Sequence, residues 1–210
     1  PQIDLNASDP STFAGDRFTT QSYGNATTGT IPWNGNWVET DAAGAGPTAG
    51  NVQVVTDSPD FELRMTGNSS AAQRAINLIS VAQDNLTRLS FNYRSSATVD
   101  AGSDLAIVEV SSNGGTSWTT LDTLDLGVSK SGSASYDISG QASANTVVRF
   151  RLQGYTSTGN EFFYVDNVAV TARPTSFAAT YTENGAAVNI ANADATIFDD
   201  SSNMSGATVS

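Results

Sequence analysis

Any chemistry in this chain has to be carried by oxygen. Its 210 residues include no His and no Cys. That removes the usual general base, the Ser-His-Asp arrangement, thiol nucleophiles, disulfides and nearly every transition-metal site. What remains is 16 Asp, 5 Glu and a large stock of amides and hydroxyls. That is the ligand set of calcium, which takes ~6–8 oxygens. No Asp-x-Asp-x-Asp-Gly loop and no Gly-Gly-x-Gly-x-Asp repeat occurs, so a calcium site must be assembled from distant segments.

Asp166 is the most informative of the acids. Strict alternation through residues 162–170 puts Phe162, Tyr164, Asp166, Val168 and Val170 on one face, and Phe163, Val165, Asn167 and Ala169 on the other. Apolar neighbours on both faces predict a carboxylate beside packed surface, where it needs a partner. Lys and Arg total only 9, so a divalent cation is the expected partner, with a hydrogen-bonded Asp at a strand bend as the bland alternative. Asp16, Glu39, Asp41 and Asp104 are the further candidate ligands, each also readable as a solvated surface acid. No pair of carboxylates stands out with surroundings that would separate their pKa values, so no glycosidase-type acid/base pair is expected. Trp33 and Tyr23 lie in a Gly/Asn-rich stretch and are the candidate rings for stacking on a sugar, with Trp33 equally readable as a core aromatic, while Trp37 reads as core.

The elements that position these groups read as strands. Residues 61–65, 89–94, 106–110 and 148–152 alternate apolar with polar, and Gly, Asn, Asp and Ser punctuate the gaps. Residues 75–79 fit a strand or a helical turn, and 18–50 read as loop carrying aromatics. Asn113-Gly114-Gly115 between alternating runs predicts a hairpin. The fold class is therefore all-β, a β-sandwich over 16–172. Residues 1–15 read as a lead-in linker. Pro174 ends pairing, and 173–210 read as a linker plus the start of a second β domain, cut short at Ser210. Pro1 is neither an initiating Met nor the start of a basic leader, so the sequence reads as part of something longer. The formal net charge of −12 argues against nucleic acid and anionic membranes as partners, and no apolar run is long enough to insert in a membrane.

The order of features resembles the MAM-like jelly-roll domain of large bacterial surface adhesins. The resemblance is carried by residues 18–23, by Trp33 with Trp37-Val38-Glu39, by 89–93 and by 108–115 with Trp118. Residues 136–139 and 163–168 complete it. The hairpin at 113–118 is similar to an Asp-box turn with Asn in place of Asp, which implies that Trp118 tucks under its own turn. Residues 181–188 with Asp199-Asp200 resemble the opening of a cadherin-like repeat of RTX-type adhesins. The animal versions of the MAM domain carry disulfides, and this chain has none, so the bacterial version is the closer likeness. The resemblance implies secretion to the cell surface, a structural calcium tying first and last strands, neighbouring β domains in the same chain, adhesion, and no catalysis. A carbohydrate-binding module that meets glycans, and a self-associating fibre subunit assembled by strand exchange, are the alternatives.

Overall fold

The computed structural model describes residues 2–4, 12–25, 28–42, 44, 46–81, 85–174 and 196–198. Strands are numbered along the chain: β1 Gln2–Asp4, β2 Thr12–Asp16, β3 Thr28–Gly29, β4 Trp33–Thr40, β5 Val52–Asp57, β6 Asp60–Met65 and β7 Ala71–Ile76. They continue with β8 Asn85–Ser95, β9 Leu105–Ser111, β10 Thr119–Asp125, β11 Ser131–Asp137, β12 Thr146–Gln153, β13 Phe163–Pro174 and β14 Thr196–Phe198. Two short 3-10 turns, Ile79–Val81 and Ser139–Gln141, are the helical segments among the described residues. No described helix is long and apolar enough to cross a membrane.

Two antiparallel sheets face each other as a jelly-roll sandwich. One has the order β10-β9-β12-β7-β4. The other runs β11-β8-β13-β2-β3, and the β5–β6 hairpin joins it through β6. Strand β13 organises this second sheet. Along one edge it pairs β8; along the other it pairs β6 at Phe163–Val165 and β2 at Val168–Ala172. β1 and β14 pair with each other. The expected cadherin-like start falls largely on residues outside those described, as do Asp199 and Asp200.

The core forms where alternation aims apolar side chains inward from both sheets. Leu89, Phe91, Phe163 and Val165 meet Val108, Val110, Val148, Phe150 and Leu152, all essentially inaccessible to solvent. Phe91 and Phe150 make an edge-to-face pair at 4.8 Å between ring centres, joining the two layers. Trp37 stacks between Phe18 and Phe150, at 6.0 Å from each.

Four readings of the sequence change. Residues 12–15, taken as the end of a linker, belong to the strand Thr12–Asp16, held because Ala14 and Asp16 both face the core. The supposed loop around Trp33 contains an eight-residue strand that pairs β7 through a bulge, residues 35–37 standing opposite Arg74 alone. Residues 71–76 are strand, and the helical turn comes after them. The uniform alternation assumed for 162–170 breaks at Asp166–Asn167. There β13 changes neighbour from β6 to β2, and Asn167 adopts a φ of 51°. This bulge shifts the phase by one, so Phe163 and Val165 and then Val168 and Val170 all point inward. The 113–118 hairpin forms as expected. Gly114 and Gly115 both have positive φ, and the Trp118 ring lies so close to its own turn that a Cβ on Gly115 would be 3.2 Å from it.

Candidate functional site

The five candidate ligands do not form one cluster: Glu39 and Asp41 flank the same loop, and Asp16, Asp104 and Asp166 each lie in surroundings of their own. Asp16 is fully buried. Its oxygens accept hydrogen bonds from the Phe18 backbone N–H (2.9 Å) and Trp37 Nε1 (2.8 Å), and it pairs with the Arg74 guanidinium, itself 3% exposed. Arg74 also donates to the Gly35 carbonyl at 2.9 Å and lies over the Trp33 ring. Burial pushes the Asp16 carboxyl up and Arg74 down, against the pull of their pairing. Asp16 thus has a protein cation where a metal was expected. Nothing in the sequence pattern flags Arg74, because a lone Arg in a short strand reads as an exposed position.

Glu39 and Asp41 act as loop staples. Glu39 accepts from the Tyr23 hydroxyl (2.6 Å) and the Gly46 N–H (2.8 Å). Asp41 accepts from the N–H groups of Asn51 (2.6 Å) and Val52 (3.0 Å). Tyr23 is half-buried; burial, with the negative charge of Glu39 and Asp41, pushes its hydroxyl well above the usual tyrosine value. Trp33 is packed against Trp37 and is 7% exposed, so the ring face expected to meet a sugar is inside the protein.

Asp104 does join other acids. Its carboxylate lies with those of Asp100 and Glu161, with one oxygen from each within 4.8 Å of the others. Asp100 and Asp104 come from the β8–β9 loop, and Glu161 precedes β13. The two segments are laced together: the Ser96 N–H donates to the Phe162 carbonyl (3.0 Å), Thr98 Oγ1 to the Asn160 carbonyl (2.7 Å), and the Phe162 N–H to Ser96 Oγ (2.9 Å). Within the loop, the Asp100 N–H donates to Asp104 Oδ2 at 2.6 Å. Gly154 lets the β12–β13 connection approach. Its φ is +89°, and a Cβ there would overlap the Ser103 carbonyl oxygen and sit 3.0 Å from Asp104 Oδ1.

Among the described residues no cation balances the charge at this cluster. The four ion pairs among the described residues involve Asp16, Glu62 and Glu109 and none of these three acids. Burial, then the charges of Glu161, Asp100 and Asp125, push the Asp104 carboxyl up. Tyr155 is fully buried, and its hydroxyl has no hydrogen-bond partner among the described residues. Burial and the charges of Asp104, Glu161 and Asp125 push that hydroxyl far up, which places it in the field of the same acids. Three carboxylates this close, from two loops, could bind a metal ion. Their spacing fits the ~5 Å span that oxygens on ~2.4 Å bonds cover around one calcium.

Asp166 lies elsewhere, half-buried on the outer face of the larger sheet. Both its oxygens accept from Asn167, through the backbone N–H and the side-chain amide, at 2.6 Å each. It lines a groove of about 350 Å³ with Asp57, Glu62, Asn92, Tyr93, Arg94, Ser131, Gly132, Ser133 and Tyr164. Burial and the charges of Asp57, Asp60 and Asp16 push the Asp166 carboxyl up.

Neither a protein-family model nor a curated protein sequence matches the chain. Solved structures do resemble it. The CBM22-1–GH10 modules of endo-1,4-beta-D-xylanase 10B from Clostridium thermocellum, complexed with xylohexaose, match 86% of this chain at 11% identity and a TM-score of 0.45. This chain spans only 30% of that one. The K2 cleaved adhesin domain of Lys-gingipain matches 75% of this chain and 98% of its own at 12% identity and TM-score 0.47. The family 29 carbohydrate-binding module CBM29_1 from Piromyces equi matches 78% of this chain and 91% of its own at 8% identity and TM-score 0.43. Likenesses at this level transfer no ligand or activity to this chain.

Proposed function

We propose that this chain is a non-catalytic, calcium-stabilised binding module of a secreted surface protein, working in adhesion and in spacing neighbouring β domains. The observation that carries this reading is the Asp100–Asp104–Glu161 cluster, which makes no ion pair among the described residues. Without metal, three like charges beside a buried hydroxyl oppose the closure of two loops. A calcium ion supplies the missing positive charge and joins the β8–β9 loop to the entry of β13. The protein with metal is then the better-folded state.

Thermal melting tests this directly. At calcium 100-fold above its Kd, linkage adds ~2.7 kcal/mol, which for a domain of this size raises Tm by roughly 5–10 °C over the chelator control. Asp104→Asn is expected to abolish most of that difference. Identical melting curves in calcium and chelator would sink the reading.

The effect depends on pH in a definite direction. The Asp104 carboxyl is raised in the fold above its ordinary value of 3.8, so its ionisation is penalised there. That penalty is absent below pH 3.8 and complete once pH has risen through the raised value. Calcium relieves it only where the carboxylate is ionised. The calcium-dependent part of Tm is therefore full at neutral pH and shrinks as pH falls through the raised value, which melting scans in matched calcium and chelator buffers from pH 7.5 to 4 would show.

A second reading, carbohydrate binding, is favoured by the Asp166 groove. It combines an amide, hydroxyls and aromatic rings at a volume within the usual ~300–1,000 Å³ of small-ligand sites.

A further inference from the structure

Strand register explains why the groove exists. Opposed residues of β11, β8 and β13 project to the same side of their sheet. One outward row therefore runs Ser133–Asn92–Asp166, and the next runs Ser131–Arg94–Tyr164. Glu62, on the neighbouring β6, reaches the same patch. Gly132 lets Tyr93 sit close over the edge strand, since a Cβ there would be 2.7 Å from the Tyr93 hydroxyl oxygen.

The groove's charges do not cancel. Arg94 is its one cation and is already committed: its Nε donates to Glu62 Oε2 at 3.0 Å, its Nη2 pairs with Glu62 Oε1, and its guanidinium lies 3.6 Å over the Tyr164 ring. Glu62 is satisfied by that pairing. Among the described residues Asp166 and Asp57 have no ion pair, and Asp166 accepts hydrogen bonds from its own neighbour, Asn167, alone. The bulge at Asp166–Asn167, with Asn167 at φ 51°, sits at this acid.

What could occupy the groove is narrowed by three facts. Its acids do not make a group of three within 4.8 Å, so a bare metal ion is a poor fit. The Tyr164 face is covered by Arg94, so flat stacking of a neutral sugar on that side is blocked. Hydroxyl and amide groups flank the unpaired carboxylate: Ser131 and Ser133 line the groove, and Ser133 donates to Asn92 Oδ1 at 2.8 Å, leaving the Asn92 amide nitrogen without a protein acceptor among the described residues. A lysine side chain offers an ammonium on an apolar stem and would use few of these polar groups. An ammonium set among hydroxyls uses all of them.

The geometry points to a site for a protonated amino sugar, its ammonium held by Asp166 and Asp57 and its hydroxyls by Asn92, Ser131 and Ser133. This rests on the carbohydrate reading of the same groove and is independent of the metal cluster.

Calorimetric titration of the whole chain near pH 6 tests it with three probes of matched length: a glucosamine oligomer, an N-acetylglucosamine oligomer and an oligolysine peptide. The glucosamine oligomer is expected to bind at least ~10-fold more tightly than either of the others. Asp166→Asn is expected to weaken it by ~10-fold or more. Asp57→Asn, at an exposed position where folding is not at stake, is expected to weaken it several-fold, and neither variant should change the calcium-dependent Tm. Equal binding of the N-acetylated oligomer, or wild-type affinity in both variants, overturns the ammonium assignment while leaving glycan binding in place. Oligolysine binding as tightly as the glucosamine oligomer overturns it in favour of a protein partner. No binding of either sugar overturns both.

Discussion

Asp16→Ala is expected to cost ~3–5 kcal/mol of unfolding free energy, among the largest effects available to a single substitution in this fold. The reason is asymmetric. Desolvation weighs against both charges of the Asp16–Arg74 pair, so the intact pair adds little net stability. Removing one partner, however, leaves the Arg74 guanidinium 97% hidden from water with no counter-charge, and strips Trp37 Nε1 and the Phe18 N–H of their acceptor. Asp16→Asn keeps an acceptor oxygen but not the charge, and should fall between Ala and wild type. Asp16→Asn combined with Arg74→Met removes both charges, and should recover much of what Asp16→Ala loses. Denaturant midpoints at unchanged slope would read this series. A loss below ~1 kcal/mol for Asp16→Ala would show that water reaches the pair.

Gly154→Ala is the second large effect, expected at ~3 kcal/mol or more. Two penalties coincide. A side chain at φ +89° is strained by itself, at ~1–3 kcal/mol. The new Cβ would also overlap the Ser103 carbonyl oxygen, which is backbone, so one of the two loops has to move. That movement separates Asp104 from Glu161. The variant should therefore lose the calcium-dependent rise in Tm along with its baseline stability. Gly140→Ala is the matching control, since a Cβ there meets nothing within 4 Å; a change of at most ~0.5 kcal/mol is expected. If Gly154→Ala melts like wild type, the tight approach of the two loops is not what closes this end of the sandwich.

The strands of this fold were legible where side chains alternate strictly. Residues 61–65, 89–94, 106–110 and 148–152 each carry inward apolar groups at every second position, and each forms a strand. Strands β10 and β11 lack that mark. They lie at sheet edges and bury little, so Thr, Ser and Asp serve as well as apolar residues there. The phase change at Asn167 was illegible for a different reason. It arises because β13 trades β6 for β2 at that point, and no local pattern encodes which strand lies alongside.

The sites divide in the same way. Asp104 could be picked out as an acid opening an apolar strand. Asp100 and Glu161 could not, because their meeting depends on two loops far apart in sequence being clamped through Ser96, Thr98 and Asn160. Trp33 stayed undecided between surface and core because Gly and Asn around an aromatic suggest a surface loop, whereas here they permit a bulged strand that turns the ring inward.

The position of β13 in the chain bears on how the protein is made. It is the last strand of the sandwich to leave a ribosome, yet it holds the larger sheet together, touching β8 on one flank and both β6 and β2 on the other. Until Phe163 and the residues after it emerge, neither the β2–β3 pair nor the β5–β6 hairpin can join β8 and β11 in that sheet. The larger sheet has to wait in separate pieces, open to stray pairing, for its final segment to arrive, and a nascent chain stalled before that point would be a substrate for chaperones.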